Sequence, residues 1–188
     1  MLHAADFSSL EEVALQMSSS VVLTIVSDDR PGIVETLSQV LEDHGGNWTE
    51  SSMLSLAGKF AGILLASVPE EQVEPFLAAL QALQSRGMQI VAQRSGAMAS
   101  PGGMREFTLD LVGQDRPGIV HDISEILSRH NVNVQELDTE CQSASMSGEL
   151  LFLARARMLV PPEASIERLR RELEDLANEL MVDINLQQ

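Results

Sequence analysis

The nine residues Val26-Ser27-Asp28-Asp29-Arg30-Pro31-Gly32-Ile33-Val34 return 86 positions later as Val112-Gly113-Gln114-Asp115-Arg116-Pro117-Gly118-Ile119-Val120, identical at seven of the nine. The same offset pairs Ser38 with Ser124, Leu41 with Leu127, His44 with His130, Asn47 with Asn133, Glu50 with Glu136 and Gly62 with Gly148. Self-similarity at one fixed offset over such a span means two copies of one fold. The 188 residues then divide into an N-terminal extension (1–19), a first domain (20–94), a linker (95–104) and a second domain (105–188). The linker is marked by Ser95-Gly96-Ala97-Met98-Ala99-Ser100-Pro101-Gly102-Gly103, small and turn-forming residues without an apolar period. Copies of about 75 to 80 residues sit near the size at which a lone core is marginal, so packing between copies or dimerisation is expected to help.

Within each copy the hydrophobic period changes in the same order. Val21 to Val26 is a β-branched run, and Phe107, Leu109 and Leu111 alternate with polar residues, so a strand precedes each repeated motif. Ile33, Leu37, Val40 and Leu41 then recur at helical spacing, as do Ile119, Ile123, Ile126 and Leu127. Gly45-Gly46 and Asn131 tolerate the positive φ that ends a helix. Two extended segments follow as hairpins, 47–56 with 60–68 and 133–142 with 148–159, turning near Ala57-Gly58 and within 143–147. The second copy reaches Pro161-Pro162 about seven residues later than the first reaches Pro69, which predicts a longer second strand or exit loop. A second helix carries Val73, Phe76, Leu77, Leu80 and Leu83, or Ile166, Leu169, Leu173, Leu176 and Leu180; short strands at 88–92 and 181–186 close the copies. The order β-α-β-β-α-β is ferredoxin-like and the class α+β. An additional short helix is predicted over Phe7–Met17, without an assigned purpose.

Charge and composition narrow the function. Twelve basic against twenty-eight acidic residues give a net charge of −16, which repels a phosphate backbone and argues against direct binding of nucleic acid. Aromatic residues are 3% of the chain, too few for the stacking platforms of single-strand binders. One cysteine, Cys141, forms no internal disulfide and supplies no multi-thiolate metal site. Met1 to Ser20 has no basic n-region, and no run reaches the roughly 18 apolar residues of a membrane span; a cytoplasmic protein without membrane contact is expected.

The repeated Asp-Arg-Pro-Gly stands where strand passes to helix. Proline suits the first helical position, and glycine lets a ligand approach the free N–H groups, where the positive dipole end favours a carboxylate. An aspartate just before the turn accepts from an ammonium group, so the pair suits a zwitterion. Asn47 and Asn133 open the next strand with an amide that donates and accepts, and parallel neighbours offer a route to convergence with the loop. Backbone needs alone also account for Pro-Gly and Asn at tight connections.

Other polar groups have blander readings. Asp28-Asp29 falls short of the oxygens calcium requires; His44 and His130 fall in last helical turns, where capping is expected; His3 and His121 are isolated. Trp48 reads as a strand residue filling core or interface, Cys141 as an inert strand residue, the nine methionines as gap-fillers, and the mixed-charge run 167–175 as a solvated helical face. No metal, cofactor or catalytic residue is expected.

The loop motif and element order, present twice, resemble the ACT domain family of small-molecule regulatory modules, from about Ser20 to the C-terminus. The resemblance implies an amino-acid ligand between paired domains, held by the strand-to-helix loop and by the residue opening the second strand. Carried over position by position, it implicates Asp29, Gly32, Ile33 and Asn47, with Asp115, Gly118, Ile119 and Asn133. Two such domains without a catalytic domain resemble the glycine cleavage system transcriptional repressor family. That likeness implies a non-enzymatic sensor of a small amino acid, glycine foremost, acting on a transcriptional activator protein rather than on DNA; a homodimer is expected from the small size of each copy. The alternative is a detached regulatory subunit of a metabolic enzyme. The copies differ at Trp48 against Val134, Gly45-Gly46 against Asn131-Val132, and Ser27-Asp28 against Gly113-Gln114, so unequal sites are expected.

Overall fold

A computed structural model describes residues 18–96, 102–143 and 150–188. The helix expected over 7–17 lies outside these residues. The chain forms two compact units, 1–99 and 100–188. The first contains β1 (Ser18–Asp28), α1 (Ile33–Asp43), β2 (Asn47–Leu56), β3 (Lys59–Pro69), α2 (Val73–Ala82) and β4 (Gln89–Arg94). The second contains β5 (Arg105–Gln114), α3 (Ile119–Arg129), β6 (Asn133–Ser143), β7 (Leu150–Val160), α4 (Ile166–Leu180) and β8 (Val182–Gln187). Their antiparallel sheets are ordered β2-β3-β1-β4 and β6-β7-β5-β8, giving two tandem ferredoxin-like domains of the α+β class.

Alternation along β1 decides which face is covered. Val21, Leu23 and Ile25 are buried with Leu64, Ala66, Ile33, Leu37, Leu41, Phe76 and Leu80 in the first core, as period-two side-chain placement requires of a strand covered on one face. Val22, Thr24 and Val26 consequently point to the other face. In the second unit Phe107, Leu109 and Leu111 join Ile119, Ile123, Ile126, Leu127, Met158, Leu169 and Leu173.

The uncovered faces of the two sheets differ in chemistry. That of the first carries Val26, Leu54, Ile63 and Val91, all exposed, beside Val22 and Leu65. That of the second carries cross-strand ion pairs, Arg155 with Asp110 at 2.7 Å and Arg157 with Glu136 at 3.1 Å.

Both first helices stop where expected. Gly45 at φ 64° and Asn131 at φ 54° take the left-handed conformation after them, and the following N–H groups of Gly46 and Val132 donate back to Leu41 and Leu127 at 2.9 Å. The second hairpin corrects the expectation of a longer strand or exit. β3 and β7 have 11 residues each, and the added length is at the hairpin connection. Asp28 pairs with Lys59 but Gln114 with Leu151, so the offset has grown from 86 to 92 by that point. Gly62, paired with Ile25, therefore corresponds to Ala154, paired with Leu111, and not to Gly148. The last strand of the second unit begins at Val182, directly after Met181 closes α4 at φ 53°; in the first unit a 3-10 turn (Leu83–Arg86) and then Gly87 at φ 79° come between α2 and β4. Among the described residues no helix is long and apolar enough to cross a membrane.

Candidate functional site

Each Asp-Arg-Pro-Gly segment is braced on the neighbouring hairpin. The Asp29 N–H donates to the Gly58 carbonyl at 3.0 Å, and Ser55 Oγ donates to Asp29 Oδ2 at 2.6 Å. Arg30 Nη2 donates to the Arg86 carbonyl at 2.6 Å, tying the loop to the turn that leads into β4, the strand beside β1. Gly58 is available as acceptor because Ala57 and Gly58, at φ 50° and 76°, make the tight two-residue turn with both φ values positive that a twisted hairpin favours.

Gly32, at φ 91° and ψ 4°, is the residue immediately before α1, and no side chain caps the helix there. The first donor to that end is Thr36 N–H, bonded to the Gly32 carbonyl at 2.9 Å. The N–H groups of Ile33, Val34 and Glu35 precede it and have no acceptor within the helix. Ile33 is 2% exposed, so its side chain belongs to the core and only its backbone is offered to a ligand. The second loop repeats this construction. Asp115 N–H donates to the Leu150 carbonyl at 2.9 Å, Asp122 N–H donates to the Gly118 carbonyl at 2.9 Å, Gly118 sits at φ 102° and ψ −17°, and Ile119 is buried.

The surrounding charges are unequal. Beside the first loop Asp28 pairs with Lys59. The hydrogen bond from Lys59, then its charge, holds the Asp28 carboxyl below the usual carboxylate range. Beside the second, Cys141 on β6 faces Asp115; desolvation first, then the Asp115 charge and hydrogen bond, push its thiol up. This agrees with an unreactive cysteine, since only the thiolate is a strong nucleophile. Sequence reasoning missed the pairing of Asp29 with Ser55 and Asp115 with Cys141. The available signal was that Ser55 and Cys141 are themselves 86 positions apart.

Asn47 and Asn133 do not meet the loop of their own unit, which corrects the expected convergence. β3 lies between β1 and β2, so these two run parallel, and register places Asn47 level with Ser67 and Ser20, at the start of β1. Asp29 follows the other end, roughly 25–30 Å away at about 3.3 Å per residue. Asn133 is likewise level with Leu159 and Glu106. Asn133 instead lines a groove of about 340 Å³ with Ser124, Leu127, Ser128, Asn131, Val132 and Val134. At the Val134 position the first unit has Trp48, half-buried against the core, with Nε1 donating to Ser51 Oγ at 3.1 Å. Trp48 is thus a packing residue.

His44 Nδ1 lies 2.7 Å from the Val40 carbonyl in the last turn of α1. His130 Nε2 instead reaches Glu172 on α4, at 3.2 Å. Burial raises the Glu172 pKa, but the His130 hydrogen bond, its charge and Arg129 outweigh that and hold it below the ordinary glutamate value. Among the described residues no three His, Cys, Asp or Glu side chains are grouped to hold a metal.

Comparison with known proteins supplies a frame for this geometry. The family model of the ACT domain matches residues 19–93 and again 107–187. A solved structure of a protein of unknown function from Galdieria sulphuraria is 32% identical with a TM-score of 0.81, covering 90% of this chain and 98% of that one. A UPF0237 protein of Methanopyrus kandleri is 32% identical over 84 residues, 45% of this chain and 88% of that protein. The glycine cleavage system transcriptional repressor of Escherichia coli is 22% identical over 169 residues, 89% of each chain.

Proposed function

The chain belongs to the ACT domain family, with two domains in tandem, and on that premise we propose that it is a non-enzymatic regulatory protein that senses a small amino acid and acts through a protein partner. The observation that carries the reading is the loop that occurs twice: an uncapped helix start behind a glycine at φ 91° or 102°, next to a carboxylate braced on the hairpin. The N–H groups suit an α-carboxylate and the aspartate suits an α-ammonium. The uncapped donors give the loop a use beyond turning the chain. Glycine is the ligand the E. coli relative's name favours, and a transcriptional regulator the partner; full-length similarity to that protein favours this over a subunit of a metabolic enzyme. The net charge of −16 accords with indirect action on DNA.

Asp29, Gly32, Ile33, Asp115, Gly118 and Ile119 form the loop parts of the proposed sites. Asn47 and Asn133, at the opposite sheet ends, contribute to a ligand only when it takes its loop from a different ACT domain. The homodimer belongs to the same reading, and the uncovered face of β2-β3-β1-β4 is its best surface. Four strands about 4.8 Å apart and some nine residues long give a footprint of about 500 Å² per copy, so about 1,000 Å² between two, the lower bound for a specific interface. Two chains of charge −16 also associate more readily through a face whose middle is apolar, with Glu50 and the Asp28–Lys59 pair toward its rim.

The test is thermal unfolding with each of the twenty amino acids. A native-state ligand at 100 times its Kd adds about 2.7 kcal/mol, which raises the Tm of a domain this size by roughly 10–20 °C. A shift with one small amino acid, reduced in Asp29→Ala or Asp115→Ala, is the expected result; no shift with any of the twenty would overturn the reading.

A further inference from the structure

The loop carboxylates occupy matching places but are held by different atoms. Ser55 lies across from Phe60, one residue before Leu56, which is level with Lys59 and Asp28. Cys141 lies across from Phe152, one residue before Gln142, which is level with Leu151 and Gln114. Each aspartate N–H is bonded to the hairpin carbonyl beyond those positions, Gly58 or Leu150. Backbone, register and loop therefore coincide, and what changes is the donor: an O–H in the first domain, an S–H in the second.

That change is large in hydrogen-bond terms. A hydroxyl donating to an ionised carboxylate makes a short, charge-assisted bond of 2.5–2.7 Å, and Ser55 to Asp29 is 2.6 Å. A thiol is a weak donor. The Ser55 bond uses Oδ2 and leaves Oδ1 to an incoming cation, with the carboxylate already oriented. Asp115 has the Cys141 thiol, its pKa raised by desolvation and then by the carboxylate beside it, as a looser brace.

We propose that Ser55 and Cys141 are positioning residues that grade the two amino-acid sites, the Asp29 loop being preorganised and tight and the Asp115 loop weaker. This rests on the sensing function proposed above. A chain built so binds its amino acid in two unequal steps and responds over a wider concentration range than two equal sites allow. Preorganisation acts by removing the cost of ordering the group on binding, and exchanging a charge-assisted bond for a weak one amounts to about five- to tenfold in affinity.

Two measurements separate this inference from the sensing function. The first needs no ligand. Cys141 is the chain's one cysteine, so the pH profile of its alkylation by iodoacetamide reports the Asp115 contact directly. Asp115→Asn is expected to move that profile to lower pH; an unmoved profile overturns the inference. The second is calorimetric titration with glycine, or with whichever amino acid gave the thermal shift. Wild type is expected to show two affinities, Cys141→Ser to tighten the weaker about five- to tenfold, Ser55→Cys to weaken the tighter by as much, and Ser55→Thr to restore it. Equal affinities in wild type, or an unchanged weaker step in Cys141→Ser, overturn the grading alone. No binding by any amino acid overturns the sensing function and the grading with it, leaving the two residues as loop braces.

Discussion

Replacing Gly32 by alanine separates backbone strain from crowding, because the two have different structural signatures here. Gly32 is at φ 91° and ψ 4°, and a Cβ built on it meets nothing within 4 Å. The cost of Gly32→Ala is therefore conformational alone, about 1–2 kcal/mol for an L-residue held at positive φ. In a domain of this size that lowers Tm by roughly 4–16 °C. Gly118→Ala, at φ 102° with only Asp122 Oδ2 at 3.7 Å from the new Cβ, is expected to cost the same. Gly32→Asn should cost less than alanine, since asparagine tolerates positive φ better. Gly113 is the opposite case, where a Cβ would lie 2.2 Å from Val182 Cγ1 and the obstacle is another side chain. Urea unfolding of the variants, followed by circular dichroism, measures these differences. A loss below about 0.5 kcal/mol for Gly32→Ala would mean that the left-handed conformation is not maintained in solution, and a loss above about 4 kcal/mol would mean that the site is crowded; either refutes the reasoning.

Two further outcomes follow from charge and from exposed surface. Asp28, Glu70 and Glu172 have pKa values below their ordinary 3.8 or 4.5. The causes are Lys59 for Asp28, Ser19 and then Arg94 for Glu70, and for Glu172 a burial effect outweighed by His130 and Arg129. A depressed carboxylate contributes stability that is present above its unfolded pKa and lost as pH falls through its folded one. The urea midpoint should thus hold at neutral pH and decline below about pH 4.5; a midpoint unchanged down to pH 3 would contradict it. Ile63→Lys, on the uncovered apolar face of the first domain where Ile63 is 48% exposed, should make a wild-type dimer monomeric in analytical ultracentrifugation, while Leu153→Lys on the charged face of the second should leave it dimeric. A monomeric wild type, or a dimeric Ile63→Lys, would remove that face as the interface.

Much of the fold was legible because the repeat supplies two readings of each element. The buried residues of α1, α3 and α4 follow the helical spacing of Ile33, Ile119 and Leu169, and Gly45 and Asn131 take the positive φ expected where the first helices end; Pro31 and Pro117 fall before the helix and not at its first position, because the left-handed Gly32 and Gly118 intervene. Failures arose where the fixed offset ends or direction matters. The second hairpin is longer at its connection, and a pattern of matching residues cannot tell a longer connection from a longer strand. Parallel neighbours suggest convergence of Asn47 with the loop, but a strand parallel to β1 with β3 between them begins level with the start of β1, and the loop follows its end. The contacts of Asp29 with Ser55 and Asp115 with Cys141 join residues 26 apart. Because serine faces cysteine across the repeat, no identity drew attention to them.

The loop's composition separates what the fold requires from what it does not. Pro31 and Gly32 serve the turn, the Asp29 backbone serves the hairpin, and Arg30 serves the carbonyl of Arg86. None of these explains why both helices begin uncapped. A serine, threonine or aspartate with extended backbone at that position would satisfy one of the free N–H groups and add about 1 kcal/mol. The second domain shows that the chain makes such a cap elsewhere: Ser165, extended at φ −78° and ψ 109°, accepts from Arg168 N–H at the start of α4. At α1 and α3 the left-handed glycine instead leaves the donors uncovered in both copies, although the outer sheet faces of those copies have diverged from apolar to ion-paired. Stability alone favours capping. On the sensing function proposed above, an anionic ligand at the helix start would supply the missing acceptor, and with it a reason for both loops to keep the same shape; α2, which also begins without a side-chain cap, instead continues from the turn 70–72.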